Sequence, residues 1–238
     1  MSGLHAMLMT AGLGTRMRPL TNDKPKPLVF VGGKPLLAYT LDKLREAGIS
    51  DCVANVHYLP EQIEAYMASD ARDLNVTISD ERALLLETGG GLVKAQKHLK
   101  SDPFYCINSD SIWTDGAVDA LTRLAKAWNA DTMDCLMLVV PRERAHQHPG
   151  KGDFFLDDAM LPVRRGSADH APYVYIGIQL LSHAFLDNPP EGAFSTNILW
   201  DRALADGRMF ALIHDGDWYD IGSPQAIAPT EEALLVRG

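Results

Sequence analysis

Over its first 140 residues the chain alternates short apolar runs with amphipathic stretches, and few architectures accommodate that rhythm. Residues 4–10 are apolar without helical periodicity, as in a buried strand. Residues 35–47 put Leu37, Leu41 and Leu44 on one helical face, with Pro35 in the first turn and Gly48 as the stop. The pattern then repeats, with strands expected over 52–56, 75–79, 104–108 and 134–140 and helices over 60–69, 90–99 and 116–128. This order predicts an α/β fold, a Rossmann-like, mostly parallel sheet flanked by helices. Such sheets bind ligands beyond the carboxyl ends of their strands. Segments 11–26 and 109–114 are therefore where chemistry is expected.

After Pro141 the rhythm changes. Residues 141–153 are rich in His, Arg, Gly and Pro, and 153–165 read as a hairpin around Asp157 and Asp158. A strand is expected over 173–181, a helix over 194–205, strands over 209–214 and 218–221, and a last helix after Pro224. Residues 141–181 are expected to form a small inserted substrate lobe or lid on a single domain spanning 1–238.

At 238 residues the chain can bury a core without staples. A formal charge of −9 disfavours nucleic acid and anionic membranes as partners. No apolar run approaches the roughly 20 residues of a membrane span, and no signal peptide is visible, so a cytoplasmic location is expected. Cys52, Cys106 and Cys135 lie far apart in apolar segments and read as buried thiols. Against the acidic background, Arg16, Arg18, Lys24 and Lys26 crowd one stretch, which suits a small anionic ligand.

That stretch follows the first strand directly: Thr10-Ala11-Gly12-Leu13-Gly14-Thr15-Arg16-Met17-Arg18-Pro19-Leu20-Thr21. Two glycines let a backbone turn tightly and bring its N–H groups to phosphate, although a plain strand-to-helix turn uses them too. Met17 stands where a dinucleotide fingerprint needs its third glycine, and no Gly-Lys-Ser/Thr follows to make a P-loop. Arginine grips phosphate oxygens as a fork and lysine as a point charge. Pro25 and Pro27 stiffen the backbone that carries Lys26. Further on, Leu86-Glu87-Thr88-Gly89-Gly90-Gly91 opens a helix. Asn108-Ser109-Asp110-Ser111 ends an apolar strand, and Trp218-Tyr219-Asp220-Ile221-Gly222-Ser223-Pro224 precedes the last helix. Each is also compatible with an ordinary turn or cap.

Taken together, Gly-x-Gly-Thr-Arg-Met-Arg-Pro-Leu-Thr, Lys-Pro-Lys-Pro-Leu and Gly-Gly-Lys-Pro-Leu at 32–36 resemble the signature of sugar-1-phosphate nucleotidylyltransferases. The likeness runs from the first strand to the last helix and implies the nucleotide-diphospho-sugar transferase fold. It also implies transfer of a nucleoside monophosphate from an NTP to a sugar 1-phosphate, with release of pyrophosphate. By the resemblance, Ala11, Gly12, Gly14 and Thr15 wrap the nucleotide, and Arg16 and Lys26 meet its phosphates. Thr88 and Gly89 line the nucleoside pocket, and Asn108 faces the sugar. Asp110 and Asp220 bind a catalytic Mg²⁺, an ion that takes one or two carboxylates plus phosphate oxygens.

Two departures stand out. Ser109 replaces a glycine of the metal motif. The family's Glu-Lys-Pro sugar-phosphate motif is missing, and Gly150-Lys151-Gly152-Asp153-Phe154 occupies that region. This segment, with Leu-Glu-Thr-Gly-Gly-Gly and the compact length, resembles the N-acetylmuramate 1-phosphate uridylyltransferases of bacterial peptidoglycan recycling. On that likeness Asp153 contacts the sugar. Mannose-1-phosphate guanylyltransferases, and a non-catalytic sugar-nucleotide sensor, are the alternatives. His146, His148 and His170 read as members of a mobile polar loop, with no spacing that completes a metal site.

Overall fold

A computed structural model of the protein describes residues 3–236. The chain runs through β1 (Ala6–Met9), β2 (Phe30–Val31), β3 (Lys34–Pro35), α1 (Leu36–Glu46), β4 (Asp51–Val56), α2 (Pro60–Asp70) and β5 (Asn75–Asp80). It continues with α3 (Glu87–Ala95), β6 (Phe104–Asn108), β7 (Ser111–Trp113), α4 (Ala120–Ala127), β8 (Cys135–Pro141) and β9 (Ala145–His146). Then follow β10 (Phe154–Leu156), β11 (Pro162–Arg164), β12 (Tyr173–Leu181), α5 (Asn197–Ala205), β13 (Met209–Ile213), β14 (Trp218–Asp220) and α6 (Ile227–Leu235).

The main sheet is mixed but mostly parallel. β5, β4, β1 and β6 run side by side in parallel. β12 lies antiparallel between β6 and β8, and β13 pairs parallel with β8. The stretch expected as a substrate lobe, 141–181, divides in two. Its last part, β12, is embedded in the middle of the sheet. The β10–β11 hairpin continues the sheet beyond β12 through the pair Phe154 and Tyr173. A second, small sheet has the order β7-β14-β9.

Strand periodicity accounts for the two-sided core. Ala6 and Leu8 of β1 face a cluster with Leu37, Leu41, Ile63 and Leu121, beneath α1, α2 and α4. Met7 faces the other way, into a cluster with Val53, Leu92, Phe185 and Leu199, beneath α3 and α5. A third cluster joins Met17, Val31, Leu36, Ile112, Tyr219 and Ile221 and ties the glycine loop to the small sheet. Gly48 ends α1 as expected, at φ 70°, with Ile49 N–H donating to Leu44 C=O at 2.9 Å.

Several boundaries differ from the pattern-based reading. The expected helix over 116–128 begins only at Ala120, where Asp119 caps it by accepting from Thr122 N at 2.7 Å. Helix α3 starts three residues early, at Glu87, whose φ of 59° marks a sharp entry. Helix α5 starts at Asn197 rather than Phe194, because the Phe194 carbonyl is already taken by the N–H groups of Gly89 and Gly90. Among the described residues no helix is long and apolar enough to cross a membrane. The three cysteines are buried free thiols, as the sequence suggested.

Candidate active site

The carboxyl ends of β1, β4 and β6 converge on one cavity of about 390 Å³. Its floor is set by a polar residue in an otherwise apolar strand, Asn55 of β4. The Asn55 Oδ1 accepts from Thr10 N at 2.7 Å and from Ala11 N at 3.3 Å. The Thr10 hydroxyl donates to the Asn55 carbonyl. The Asn55 amide donates to Glu81 Oε1 at 2.8 Å, and Glu81 Oε2 accepts from Leu86 N at 3.0 Å. Both Asn55 and Glu81 are buried. This pair therefore fixes the start of the glycine loop and the segment entering α3 relative to each other. A buried carboxylate is tolerable because its partners are hydrogen-bond donors.

Ala11, Gly12, Lys26, Thr88, Asn108 and Asp110 line the cavity. A side chain at Gly12 would meet open space. Gly14 is different, with φ 62° and with room for a Cβ only 3.0 Å from Lys26 Cβ, so glycine lets the loop close onto Lys26. Thr21 Oγ1 donates to the Gly14 carbonyl at 2.8 Å and holds that closure. Thr15 and Arg16 lie in the following 3₁₀ turn, away from the cavity lining. A Cβ on Gly222 would be 3.2 Å from Arg16 Nη1 and 3.1 Å from Asp220 Oδ1, so the motif containing Asp220 meets Arg16 over that glycine.

Lys26 is only 8% exposed, and its Nζ donates to Asp110 Oδ2 at 2.8 Å. Asp110 leaves β6 beside Ser109. The serine that replaces the family glycine turns inward and donates to the Met9 carbonyl at 2.8 Å, joining the ends of β6 and β1. Asn108 packs its side chain over Gly177 of β12. A Cβ there would come within 2.8 Å of Asn108, and φ is 81°. The register of β12 against β8 slips between Tyr175 and Gln179, around this glycine.

Asp220 reaches the same region through the small sheet, in which β14 pairs antiparallel with β7 and sets Asp220 opposite Ser111, one residue past Asp110. Sequence separation gave no hint of this meeting. His148 Nδ1 stands 3.0 Å from Asp220 Oδ2, and its ring packs on Trp218. His148 Nε2 is buried with no hydrogen-bond partner among the described residues, above Gly150, where any side chain would collide with it. His146 belongs to β9, stacks on Tyr219 and bonds Asp217 at 2.8 Å. These two histidines are thus fixed parts of the small sheet's surroundings, not members of a mobile loop, while His170 is exposed. Among the described residues no group of three or more His, Cys, Asp and Glu side chains is arranged to hold a metal.

The glycine triplet at 89–91 has a different cause from the expected one. Gly89 is buried against the Phe194 ring and does not line the cavity. A Cβ on Gly90 would lie 2.7 Å from the Gly192 carbonyl, and one on Gly91 would lie 2.8 Å from Glu81 Oε1. Packing alone is enough to demand glycine at these three positions. Thr88 does face the cavity, with its hydroxyl accepting from Thr196 N at 2.9 Å.

The cavity opens into two further hollows. The first shares Met9, Thr88, Asn108 and Ser195 with it and adds Tyr175, Gln179 and Trp200. The second shares Tyr175, Asn197 and Trp200 with the first and reaches Asp153, Arg164 and Arg165. Together they form one trench from the glycine loop to Asp153. Asp153 Oδ2 accepts from Tyr175 N at 3.0 Å. Burial pushes the Tyr175 phenol well above its ordinary pKa. Asn55, Glu81, His148, Gly177 and Tyr175 are the residues of this site that the motifs did not reveal. A lone Asn inside an apolar strand was the one available signal, for Asn55.

Comparison with known proteins agrees with this geometry. The family profile described as nucleotidyl transferase matches residues 5–148. The chain is 42% identical over 233 residues to an N-acetylmuramate alpha-1-phosphate uridylyltransferase of Caulobacter vibrioides, covering 96% of each chain. It is 33% identical to the protein of that name from Neisseria meningitidis serogroup B, covering 99% of each. A crystal structure of a putative glucose-1-phosphate thymidylyltransferase from Bacillus anthracis superposes with a TM-score of 0.80, at 17% identity, covering 98% of this chain and 95% of that one.

Proposed function

Since the chain belongs to the nucleotidyl transferase family and is a sugar-1-phosphate nucleotidyltransferase, we propose that it joins UTP to N-acetylmuramate 1-phosphate, giving UDP-N-acetylmuramate and pyrophosphate. The observation that carries the site assignment is the trench, which begins at the glycine loop, passes the Lys26–Asp110 pair and ends at Asp153. Its three hollows share lining residues, and in this reading the two substrates lie end to end along them with their phosphates at Lys26. The choice of base and sugar rests on the likeness to the two uridylyltransferases.

In this reading an oxygen of the sugar 1-phosphate attacks the α-phosphorus of UTP. The bond from that phosphorus to the bridging oxygen breaks, and pyrophosphate leaves with the electron pair. Phosphate is already a competent nucleophile, so no side chain has to remove a proton. The protein's share is positioning and charge compensation. Ala11, Gly12, Gly14 and Thr15 form the loop for the nucleotide. Lys26 meets the reacting phosphates, Arg16 the outer ones, Thr88 the nucleoside and Asn108 the sugar, with Asp153 holding a sugar hydroxyl or amide.

Asp110 and Asp220 are the residues that would hold Mg²⁺. Both are hard oxygen donors, and each keeps one carboxylate oxygen free of hydrogen bonds among the described residues, as a magnesium ligand requires. Bound there, the ion would neutralise phosphate charge. The direct test is pyrophosphate release from the purified protein with Mg²⁺ and a grid of NTPs and sugar 1-phosphates. Release with UTP and N-acetylmuramate 1-phosphate supports the assignment. Release only with GTP and mannose 1-phosphate replaces it, and silence with sugar nucleotides still bound points to a sensor.

A further inference from the structure

The end of the trench farthest from the glycine loop holds two neighbouring arginines in very different states. Arg164 is neutralised: its Nε donates to Asp201 Oδ1 at 2.6 Å, its Nη1 to Asn197 Oδ1 at 3.1 Å, and its guanidinium lies over the Phe154 and Trp200 rings. Arg165 has no carboxylate within ion-pair distance among the described residues. Its Nε donates to the Gly152 carbonyl at 3.0 Å and its Nη1 to the Ala168 carbonyl at 2.9 Å. Among the described residues Nη2 has no acceptor, and the side chain lines the hollow. Backbone carbonyls thus orient the fork while its charge stays uncompensated. A protein with 31 acidic and 22 basic residues has many carboxylates to spare, and none is spent here.

The mounting is rigid. Arg165 N donates to the Asp153 carbonyl at 2.8 Å, which pins the arginine to the Gly150–Phe154 segment. Gly152, at φ 82°, presses against the Ala171 carbonyl so closely that no side chain fits. Asp153 lines the same hollow, but the Tyr175 amide engages its carboxylate, which lies beyond ion-pair reach of Arg165. The same hollow is lined by two aromatic rings, with Tyr175 and Trp200 edge to face at 4.9 Å and the Trp200 Nε1 anchored on Gln179 Oε1 at 2.9 Å. An oriented, unpaired guanidinium beside an apolar wall is what recognises a carboxylate on a short carbon stem.

We propose that Arg165 binds a carboxylate carried on the sugar ring, and so makes the enzyme selective for an acidic sugar 1-phosphate. The phosphate end of the sugar is accounted for by Lys26, at the other end of the trench, so this anion is a second one on the same molecule. The inference rests on the uridylyltransferase reading above, because N-acetylmuramate differs from N-acetylglucosamine by a lactyl ether that ends in a carboxylate.

The test is to titrate N-acetylmuramate 1-phosphate and N-acetylglucosamine 1-phosphate into the 238-residue protein by calorimetry, in the wild type, R165Q and R165K. Turnover with UTP is measured in parallel. A charged hydrogen bond of this kind corresponds to about ten- to a hundredfold in affinity. The wild type is expected to favour the acidic sugar by that factor. R165Q should erase the preference, and R165K should keep part of it. Using the ratio between two sugars in one variant cancels general damage to the fold. A wild type without preference, or an R165Q that retains it or weakens both sugars equally, overturns the proposal. If the wild type turns over N-acetylmuramate 1-phosphate in those cases, the assigned reaction survives and only the role of Arg165 falls. Failure of the wild type to bind or use either sugar removes both.

Discussion

Lys26 Nζ and Asp110 Oδ2 are 2.8 Å apart, yet they meet solvent unequally: the Lys26 side chain is 10% exposed and that of Asp110 is 42% exposed. The cation is sealed into the 3₁₀ turn between Pro25 and Val29, and the carboxylate stands at the trench. A fixed, partly desolvated ammonium loses little by reorganising when charge develops on a nearby phosphate. Lys26→Ala and Asp110→Asn are each expected to lower kcat by about a hundredfold or more, equivalent to about 3 kcal/mol. Near-native circular dichroism with that loss is the expected result. Full turnover in either variant removes that residue from the mechanism.

Asn55 carries a structural load at two loops. Asn55→Ala would strip the shared acceptor from Thr10 and Ala11 and the amide donor from buried Glu81. The expected cost is about 3 kcal/mol of stability, the usual scale when a buried charge loses a hydrogen-bond partner. A lower urea midpoint with an unchanged slope would report it. The KM for the nucleotide should rise in the same variant, because both loops lose their common anchor.

His148 acts through Asp220. With Nδ1 at 3.0 Å from the carboxylate and the ring held by Trp218, it fixes the orientation of a proposed Mg²⁺ ligand. His148→Ala should raise the Mg²⁺ concentration needed for half-maximal pyrophosphate release by about tenfold, the lower end of the range for outer partners of metal ligands. His148→Asn, which can still donate, should recover part of this. An unchanged Mg²⁺ titration in the alanine variant would show that Asp220 needs no such support.

His214 predicts an acid limit to stability. Its ring is buried, its Nε2 bonds the Thr114 carbonyl at 3.0 Å, and its Nδ1 has no partner. Desolvation by burial lowers its pKa below the ordinary value, with the Thr114 hydrogen bond opposing. The unfolded chain therefore binds a proton that the folded chain refuses. Stability should be intact above about pH 6.5 and fall as the pH drops below it, levelling off at the lowered folded pKa, with a slope of at most about 1.4 kcal/mol per pH unit. Unfolding free energies across that window should flatten in His214→Asn.

The elements of the main sheet were legible because their patterns are local. Short continuous apolar runs mark β1, β4 and β6, and the Leu37, Leu41 and Leu44 spacing marks α1. The four motifs were legible for the same reason, since each lies within a dozen consecutive residues. What escaped was contact between distant segments. The glycine triplet reads as a turn or as a ligand approach, and its packing against Phe194, over 100 residues on, shows only in the structure. His148 looked like loop polarity because its partner lies 72 residues away. The antiparallel insertion of β12 between β6 and β8 leaves no mark in a run of apolar residues, which reads the same in either direction.

The small sheet also has a consequence for how the enzyme is made. Its middle strand, β14, is the last strand among the described residues, and its outer strands β7 and β9 both pair with it. During synthesis the glycine loop, Lys26 and Asp110 can be in place while the Asp220 side of the trench is still missing. In the proposed reading the site is therefore completed only when residues 218–220 seat between β7 and β9. A chain cut short before residue 218 would lack both the strand that joins β7 to β9 and Asp220 itself.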